Sequence, residues 1–152
     1  MVKAKNRAQS DEESIQQLPV LKSQGQLIII GGAEDKEGDC TILREFVRRA
    51  GGRGAKIAVM TVATSLPGEV GADYRDIFER LGVERVDIVD TERREDASEP
   101  RFLEMIKEAT GVFFTGGDQA RVTAVLKDTE MDRLLHEKFK QGLIIAEVQA
   151  HL

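Results

Sequence analysis

The chain has 152 residues, with 22 basic and 27 acidic side chains and a net charge of −5. This acidic balance argues against a nucleic-acid-binding protein, which needs a basic face for the phosphates. No apolar stretch approaches the roughly 20 residues of a membrane span. Cys40 is the single cysteine, so no internal disulfide forms, and no apolar run follows the polar first residues as in a secretory signal. We therefore expect a cytoplasmic protein with neither nucleic acid nor membrane as a partner.

The first 24 residues differ in character from the rest of the chain. Residues 1–24 are polar and irregular, and we expect them to be a disordered leader. Residues 25–152 are expected to form a single α/β domain. They contain five runs that are rich in β-branched residues and apolar on both faces, as buried parallel strands are. These predicted strands are Leu27–Ile30, Ala55–Val62, Arg85–Val89, Gly111–Thr115 and Gly142–Ala146.

Segments with a helical period separate the five runs. The first places Ile42, Phe46 and Ala50 on one face, with Leu43 and Val47 beside it. The later apolar stripes are Tyr74, Ile77, Phe78 and Leu81; Phe102, Leu103 and Ile106; Val122, Val125 and Leu126; and Met131, Leu134, Leu135 and Phe139. We interpret the charged stretch 91–99 as a solvated loop. The alternation predicts a three-layer, doubly wound, mostly parallel sheet with right-handed crossovers, as in flavodoxin-like folds.

Ligands of such sheets bind beyond the carboxyl ends of the strands, which directs attention to the residues that follow each run. Gly31 and Gly32 follow the first strand and allow a backbone to approach a ligand, but they equally fit a tight turn with surface charges. The hydroxyl groups of residues 61–65 follow the second strand. They could bind a polar substrate or cap the next helix.

The residues after the fourth predicted strand carry the most informative pattern, Gly116, Gly117, Asp118 and Gln119. The two glycine amides could stabilise an oxyanion, and Gln119 could form a hydrogen bond with a substrate. The same residues also fit a glycine turn with Asp118 as a helix cap. No set of His, Cys and carboxylate residues has the spacing of a metal site, and we expect His136 to be solvated.

Three segments together resemble the cyanophycinase family over residues 25–146. They are Ile-Ile-Gly-Gly-Ala-Glu-Asp-Lys (29–36), Phe-Phe-Thr-Gly-Gly-Asp-Gln (113–119) and Lys-Gln-Gly-Leu-Ile-Ile-Ala (140–146). The resemblance implies a fold related to class I glutamine amidotransferases and a serine-type peptidase without metal or organic cofactor. Its substrate would be cyanophycin, a polyaspartate bearing arginine, or another aspartyl peptide, and its product the β-Asp-Arg dipeptide.

The resemblance also implies roles for individual residues. Gly116 and Gly117 would help to form the oxyanion site, and Gln119 would contact the substrate. The catalytic serine would lie in a Gly-Thr-Ser-Ala-Gly turn directly after the strand that contains Leu143–Ala146. In this sequence Ala146 is followed by Glu147, so we assign no catalytic serine, histidine or acid. The resemblance therefore implies that residues 25–152 are the N-terminal part of a single α/β peptidase domain. We expect a sheet truncated after its fifth main strand and a chain that hydrolyses nothing.

A frameshift would explain the missing serine-bearing turn, and two other functions remain as alternatives. The codons for residues 147–151, read in a shifted frame, can spell Gly-Thr-Ser-Ala, so we hypothesise a frameshift after Ala146, natural or introduced in sequencing. The alternatives are a flavodoxin-like module that binds a small anionic ligand, and a fragment that associates with intact homologues. An unpaired edge at the fifth strand would favour aggregation or a homodimer.

Overall fold

The computed structural model describes residues 24–31 and 40–149, where the chain forms five strands and five α-helices. The strands are β1 (Gln26–Ile30), β2 (Lys56–Met60), β3 (Arg85–Val89), β4 (Gly111–Phe114) and β5 (Ile144–Val148). The helices are α1 (Thr41–Arg49), α2 (Pro67–Arg80), α3 (Pro100–Glu108), α4 (Gln119–Leu126) and α5 (Glu130–Lys140), and two 3₁₀ helices span Gly52–Gly54 and Arg94–Ser98. The predicted leader, apart from Gln24, lies outside the described residues.

The five strands form one parallel sheet in the order β1-β5-β4-β2-β3. Helices α1 and α2 cover one face of it, while α3, α4 and α5 cover the other. The predicted three-layer, doubly wound α/β fold is therefore confirmed. One detail of the prediction is wrong: β5 lies inside the sheet between β1 and β4, so the edge strands are β1 and β3.

An aromatic cluster fills the core between the sheet and helices α1 and α2. Phe113 of β4 lies at its centre, with ring centroids 4.5 Å from Tyr74, 5.3 Å from Phe78 and 5.9 Å from Phe46. These tilted and edge-on arrangements are the ones that aromatic rings prefer. The close approach of α1 also depends on Gly111, where a Cβ atom would lie only 2.8 Å from the Cβ of Ala50. The first residue of β4 therefore has to be small.

The predicted helical stripes are largely buried, with one exception in α1. Leu43, Phe46, Val47 and Ala50 are buried at the i, i+3, i+4, i+7 spacing of a single stripe, whereas Ile42 is 44% exposed. Ile42 precedes this stripe by one residue, a rotation of about 100° that takes it off the buried face. Its predicted place in the core is wrong.

Two predictions about loops are also wrong. Helix α2 begins after Leu66 with Pro67 in its first turn and no side-chain cap, so the hydroxyl groups of residues 61–65 do not cap it. Instead, the Thr64 hydroxyl accepts a hydrogen bond from the Leu66 amide (3.0 Å). The stretch 91–99 is not simply a solvated loop, because it contains the second 3₁₀ helix and the fully buried Ala97.

The last strand begins and ends two residues later than predicted. The sequence pattern places it at Gly142–Ala146, whereas β5 runs from Ile144 to Val148. Gly142 lies in the preceding turn with a φ of 117°, a conformation that glycine adopts readily and other residues rarely do. Glu147 and Val148 are thus strand residues, in register with Ile29 and Ile30 of β1.

Candidate functional site: the carboxyl edge of the sheet

The loops that follow β2, β3 and β4 lie side by side, because these three strands are neighbours and run in the same direction. We call them together the rim, which comprises Thr61–Thr64, Asp90–Asp96 and Thr115–Asp118. The ends of β5 and β1 complete this edge of the sheet. It is the edge at which parallel α/β folds bind their ligands.

The turn after β4 is held against the end of β2. The Thr115 amide donates to the Met60 carbonyl (3.1 Å), and the Asp118 amide donates to the Ala63 carbonyl (2.9 Å). Gly117 between them has a φ of 147°, and a Cβ atom there would lie 2.2 Å from the Ala63 oxygen. Both its conformation and the space around it therefore require glycine.

Gly116 and Gly117 each carry a backbone donor that the turn leaves unused. Both residues are half-buried, and within the described residues neither amide N–H has a hydrogen-bond acceptor. Two adjacent donors at the end of a buried strand can bind a carbonyl oxygen or an anion that enters from solvent. The structure thus places the two predicted donors at the carboxyl edge of the sheet, in half-buried residues.

Asp118 and Gln119 have different surroundings. Asp118 is the N-cap of α4, where its Oδ1 atom accepts a hydrogen bond from the Ala120 amide (2.9 Å). The capping interpretation of this residue is confirmed. Gln119 is the first residue of α4 and is exposed beside the glycine pair.

The ends of β1 and β4 flank the end of β5. Ile30 of β1 is in register with Val148, and Gly116 lies on the other side, where a Cβ atom would be 3.1 Å from Val148 Cγ1. Gly31, directly after β1, is exposed, and no atom of the described residues lies within 4 Å of where its Cβ atom would be. The structure therefore brings Gly31, Gly116 and Gly117 to one edge of the sheet, and Gly32 lies outside the described residues.

Acidic groups after β3 form a part of the rim that the sequence analysis did not single out. The Thr61 hydroxyl donates to Asp90 (3.3 Å), and a hydrogen bond and charge repulsion from Asp90 raise the pKa of Glu92. Asp96 accepts hydrogen bonds from the amides of Glu92 and Arg93, which lower its pKa. Their position directly after a predicted strand was the signal that could have indicated them.

Two threonines of the rim bury a hydroxyl group without a partner among the described residues. They are Thr91 and Thr115, both almost fully buried. An unpaired buried hydroxyl costs about 1–3 kcal/mol relative to a paired one. Thr115 directly precedes the glycine pair, so this cost falls on the candidate site itself.

The remaining titratable candidates lie away from the rim. His136 is exposed on α5, where its Nδ1 atom is 2.9 Å from the Asp132 carbonyl, and Cys40 is buried in the core below α1. Across residues 24–31 and 40–149, no three His, Cys, Asp or Glu side chains group as a metal site requires.

Over the same ranges, no helix has the length and apolar character needed to cross a membrane. His151 lies outside the described residues.

A doubly wound parallel sheet with free amide donors at its carboxyl edge defines a class of α/β proteins that bind ligands at this edge. Within that class, the sequence profile of peptidase family S51 matches residues 27–150. The chain belongs to this family.

Individual relatives agree with the family match. The chain is 38% identical over 116 residues to the cyanophycinase of Trichormus variabilis, covering 76% of this chain and 39% of that protein. It is 40% identical over 118 residues to the cyanophycinase of Synechococcus elongatus, covering 78% of this chain and 37% of that protein. The chain thus spans well under half the length of these relatives.

Solved structures share the fold. A peptidase from an acI-B1 Actinobacterium superposes with a TM-score of 0.71 at 21% identity, over 83% of this chain and 54% of that one. A peptidase E protein from Listeria monocytogenes EGD-e gives a TM-score of 0.59 at 17% identity, over 82% and 58% of the two chains. At this identity the likeness concerns the fold alone.

Proposed function

We propose that the rim is one side of a serine-peptidase site that acts in the cytoplasm on cyanophycin and releases β-Asp-Arg dipeptides. The amides of Gly116 and Gly117 donate to the oxygen of the attacked carbonyl, and Gln119 contacts the bound peptide. Asp118 fixes the turn through its cap on α4. Identities of 38% and 40% to cyanophycinases over most of this chain support the choice of substrate.

The observation that carries this proposal is that the amides of Gly116 and Gly117 have no acceptor among the described residues. When a nucleophile attacks a peptide carbonyl, negative charge develops on its oxygen, and preorganised donors stabilise that charge. Removing one such donor typically lowers kcat by about 10²–10³-fold. The bonds from Thr115 and Asp118 to the β2 side hold these amides in place before any substrate arrives.

We further propose that the 152-residue polypeptide hydrolyses no peptide. Covalent catalysis requires a hydroxyl or thiol group beside a base that activates it. At the end of β5, where the family resemblance implies a serine-bearing turn, this sequence has Glu147, Val148 and Gln149. Glu147 and Val148 continue the strand, and Val148 packs against Gly116 instead of leaving room for a turn.

The test begins with the gene. Genomic DNA sequenced through codon 146 is expected to contain a shifted frame that encodes Gly-Thr-Ser and continues to a histidine. A protein expressed from that frame should release β-Asp-Arg from cyanophycin, detected by mass spectrometry. A genome with no such frame would refute the frameshift, and a frame-restored protein that cleaves other peptides but not cyanophycin would refute the substrate.

The role of Gln119 is tested in the same frame-restored protein. Gln119→Ala is expected to raise KM for cyanophycin severalfold with a smaller change in kcat, because it removes a contact with the substrate and no group of the reaction. Gln141→Ala is the matched control, since Gln141 is equally exposed but ends α5 at the opposite edge of the sheet. Equal effects of the two substitutions would contradict the assignment.

A further inference from the structure

Thr115 buries its hydroxyl group without a hydrogen-bond partner among the described residues. It directly follows β4 and is only 1% exposed. Buried hydroxyl groups of folded proteins are nearly always paired, so an unpaired one calls for a physical explanation. Thr115 also directly precedes Gly116 and Gly117, the two donors of the proposed peptidase site. The unpaired group therefore lies at the point where that site is built.

The direction of the Thr115 side chain follows from the ladder of β4. The Thr115 amide donates to the Met60 carbonyl of β2 (3.1 Å), so the backbone continues the strand as far as this residue. Side chains alternate between the two faces of a strand. Phe113 packs on the α1 and α2 side, and Phe114 lies on the other side. Thr115 therefore points to the face of Phe113.

Two residues flank Thr115 on that face. Extending the register of β4 by one residue places Thr115 between Thr61, after β2, and Val148 of β5. Val148 belongs to the core cluster on the α1 and α2 side. Thr61 is on the same side, because its Cγ2 atom is 3.5 Å from where a Cβ atom of Gly71 in α2 would lie. Neighbouring strands are about 4.8 Å apart, which brings side chains on one face into contact.

Neither neighbour satisfies the Thr115 hydroxyl. The Thr61 hydroxyl donates to Asp90 (3.3 Å), which follows β3 on the far side of β2, and Val148 ends in two methyl groups. A hydroxyl group at position 148 could reach Thr115, because threonines on neighbouring strands form hydrogen bonds with each other. The family resemblance implies such a group, since the second residue of a Gly-Thr-Ser turn directly after Ala146 takes this position.

We propose that Thr115 is a positioning residue of the peptidase site, and that its hydroxyl bonds to the threonine hydroxyl that the Gly-Thr-Ser turn carries at position 148. This inference rests on the proposed function. The serine is the next residue of that turn, so the bond holds the nucleophile against the end of β4. Because the amides of Gly116 and Gly117 follow Thr115 directly, the same bond fixes the nucleophile relative to the oxyanion donors.

The proposal predicts opposite effects of one substitution in two proteins. In the 152-residue polypeptide the Thr115 hydroxyl is unpaired, so Thr115→Val should raise the equilibrium constant of folding. In the frame-restored protein the hydroxyl is paired, so the same substitution should lower that constant. A side chain that served packing alone would give the same sign in both proteins.

The pairing is tested first in the 152-residue polypeptide, by a double-mutant cycle of Thr115→Val and Val148→Thr followed by urea denaturation. Val148→Thr buries a hydroxyl group and should lower the equilibrium constant of folding. The loss should be about fivefold smaller with Thr115 present than with valine there, because the two hydroxyl groups then satisfy each other.

The control cycle combines Val148→Thr with Thr110→Val. Thr110 precedes β4 at the opposite edge of the sheet, where its hydroxyl accepts a hydrogen bond from the Lys56 amide, so no coupling is expected. Coupling below about twofold between positions 115 and 148, or equal coupling in the two cycles, would refute the pairing.

The positioning role is tested in the frame-restored protein with cyanophycin as substrate. Thr115→Val should lower kcat about tenfold with little change in KM, because it displaces the nucleophile and removes no contact with the peptide. Thr115→Ser keeps the hydroxyl and should recover most of the loss, and Thr110→Val is the control for the loss of a hydroxyl elsewhere. A Thr115→Ser variant as impaired as Thr115→Val, or an effect on KM alone, would refute the role.

The two tests separate the pairing from the proposed function. Absence of coupling in the polypeptide would overturn the pairing even if the frame-restored protein cleaves cyanophycin. Coupling in the polypeptide, together with a frame-restored protein that cleaves no peptide, would overturn the peptidase site and the positioning role but confirm that the two hydroxyl groups pair.

Discussion

The turn after β4 and the β1 edge belong to the same sheet, but neighbouring residues constrain the turn more tightly than the edge. The turn is fixed by two backbone hydrogen bonds to β2 and by a contact at Gly117 that admits no side chain. Among the described residues, the β1 edge has one neighbouring strand, two half-exposed apolar side chains and outer peptide groups without a partner. Substitutions in the turn should therefore lower folding stability more than substitutions at the β1 edge.

The two regions also differ in how their backbone amides without acceptors are arranged. At the rim, the amides of Gly116 and Gly117 have no acceptor among the described residues, and hydrogen bonds from Thr115 and Asp118 hold their turn against the end of β2. At β1, the outer amides lie along one strand and have no partner strand among the described residues. Free donors of the first kind are a feature of ligand sites, whereas free donors of the second kind are a feature of interfaces.

The largest expected effect is that of Gly117→Ala. A methyl group would lie 2.2 Å from the Ala63 oxygen, at a φ of 147°. We expect the free energy of unfolding to fall by about 3 kcal/mol or more, measured by urea denaturation. Gly31→Ala, at a glycine with open space around it, should cost less than about 1 kcal/mol. Equal costs would show that the turn is not held as described.

A smaller effect, with a defined dependence on pH, is expected at Asp96. Its carboxylate accepts two backbone hydrogen bonds, and its pKa in the folded protein is lowered. The stabilisation is therefore fully present above the ordinary pKa of an aspartate, about 4, and is lost as the pH falls through the folded value. Asp96→Ala should cost about 1 kcal/mol at pH 7. The difference from the parent chain should shrink as the pH drops below about 4, and a constant difference would contradict it.

Thr115→Val tests the rim in the opposite direction. The Thr115 hydroxyl is buried with no partner among the described residues, so replacing it with a methyl group of similar size should raise stability by up to about 1 kcal/mol. Thr110→Val is the comparison, because the Thr110 hydroxyl accepts a hydrogen bond from the Lys56 amide (2.9 Å). That substitution should lower stability by about 1 kcal/mol. Destabilisation by Thr115→Val would mean that its hydroxyl has a partner.

The smallest effect on folding is expected at the β1 edge. Ile29→Thr should change the free energy of unfolding by less than about 0.5 kcal/mol, measured at the lowest workable protein concentration so that association does not contribute. Ile57→Thr makes the same change at a fully buried position of β2 and should cost at least about 2 kcal/mol. A large cost at Ile29 would mean that the side chain is covered within one copy of the chain.

Periodicity was sufficient to predict the order of elements, but it did not locate their ends. The runs around Ile57 and Phe113 are apolar on both faces because helices cover both faces of the sheet there. The same pattern placed β5 two residues early, since Gly142 and Leu143 are compatible with a strand until the turn geometry is known. The apolar residues of α1 fit two adjacent stripes, one with Ile42 and one with Leu43. Apolar character alone does not show which of the two faces the core.

The candidate site was predictable only in its glycine turn. Gly116 and Gly117 follow an unmistakable buried strand, and the rule that ligands bind beyond strand ends identifies them. That Ala63 packs against Gly117, or that the Thr61 hydroxyl donates to Asp90, depends on which strands are neighbours. Strand order arises from long-range packing and leaves no local signal. For the same reason the open edge was expected at β5 instead of β1.

The measurement that most directly tests the central claim is a hydrolysis assay of the 152-residue polypeptide on purified cyanophycin. We propose that the rim supplies donors for a carbonyl oxygen, but β5 continues as a strand through Glu147 and Val148, where the family resemblance implies a serine-bearing turn. No β-Asp-Arg should appear over days, while the cyanophycinase of Trichormus variabilis in a parallel reaction releases it. Steady release by the polypeptide alone, free of any contaminating peptidase, would contradict the account.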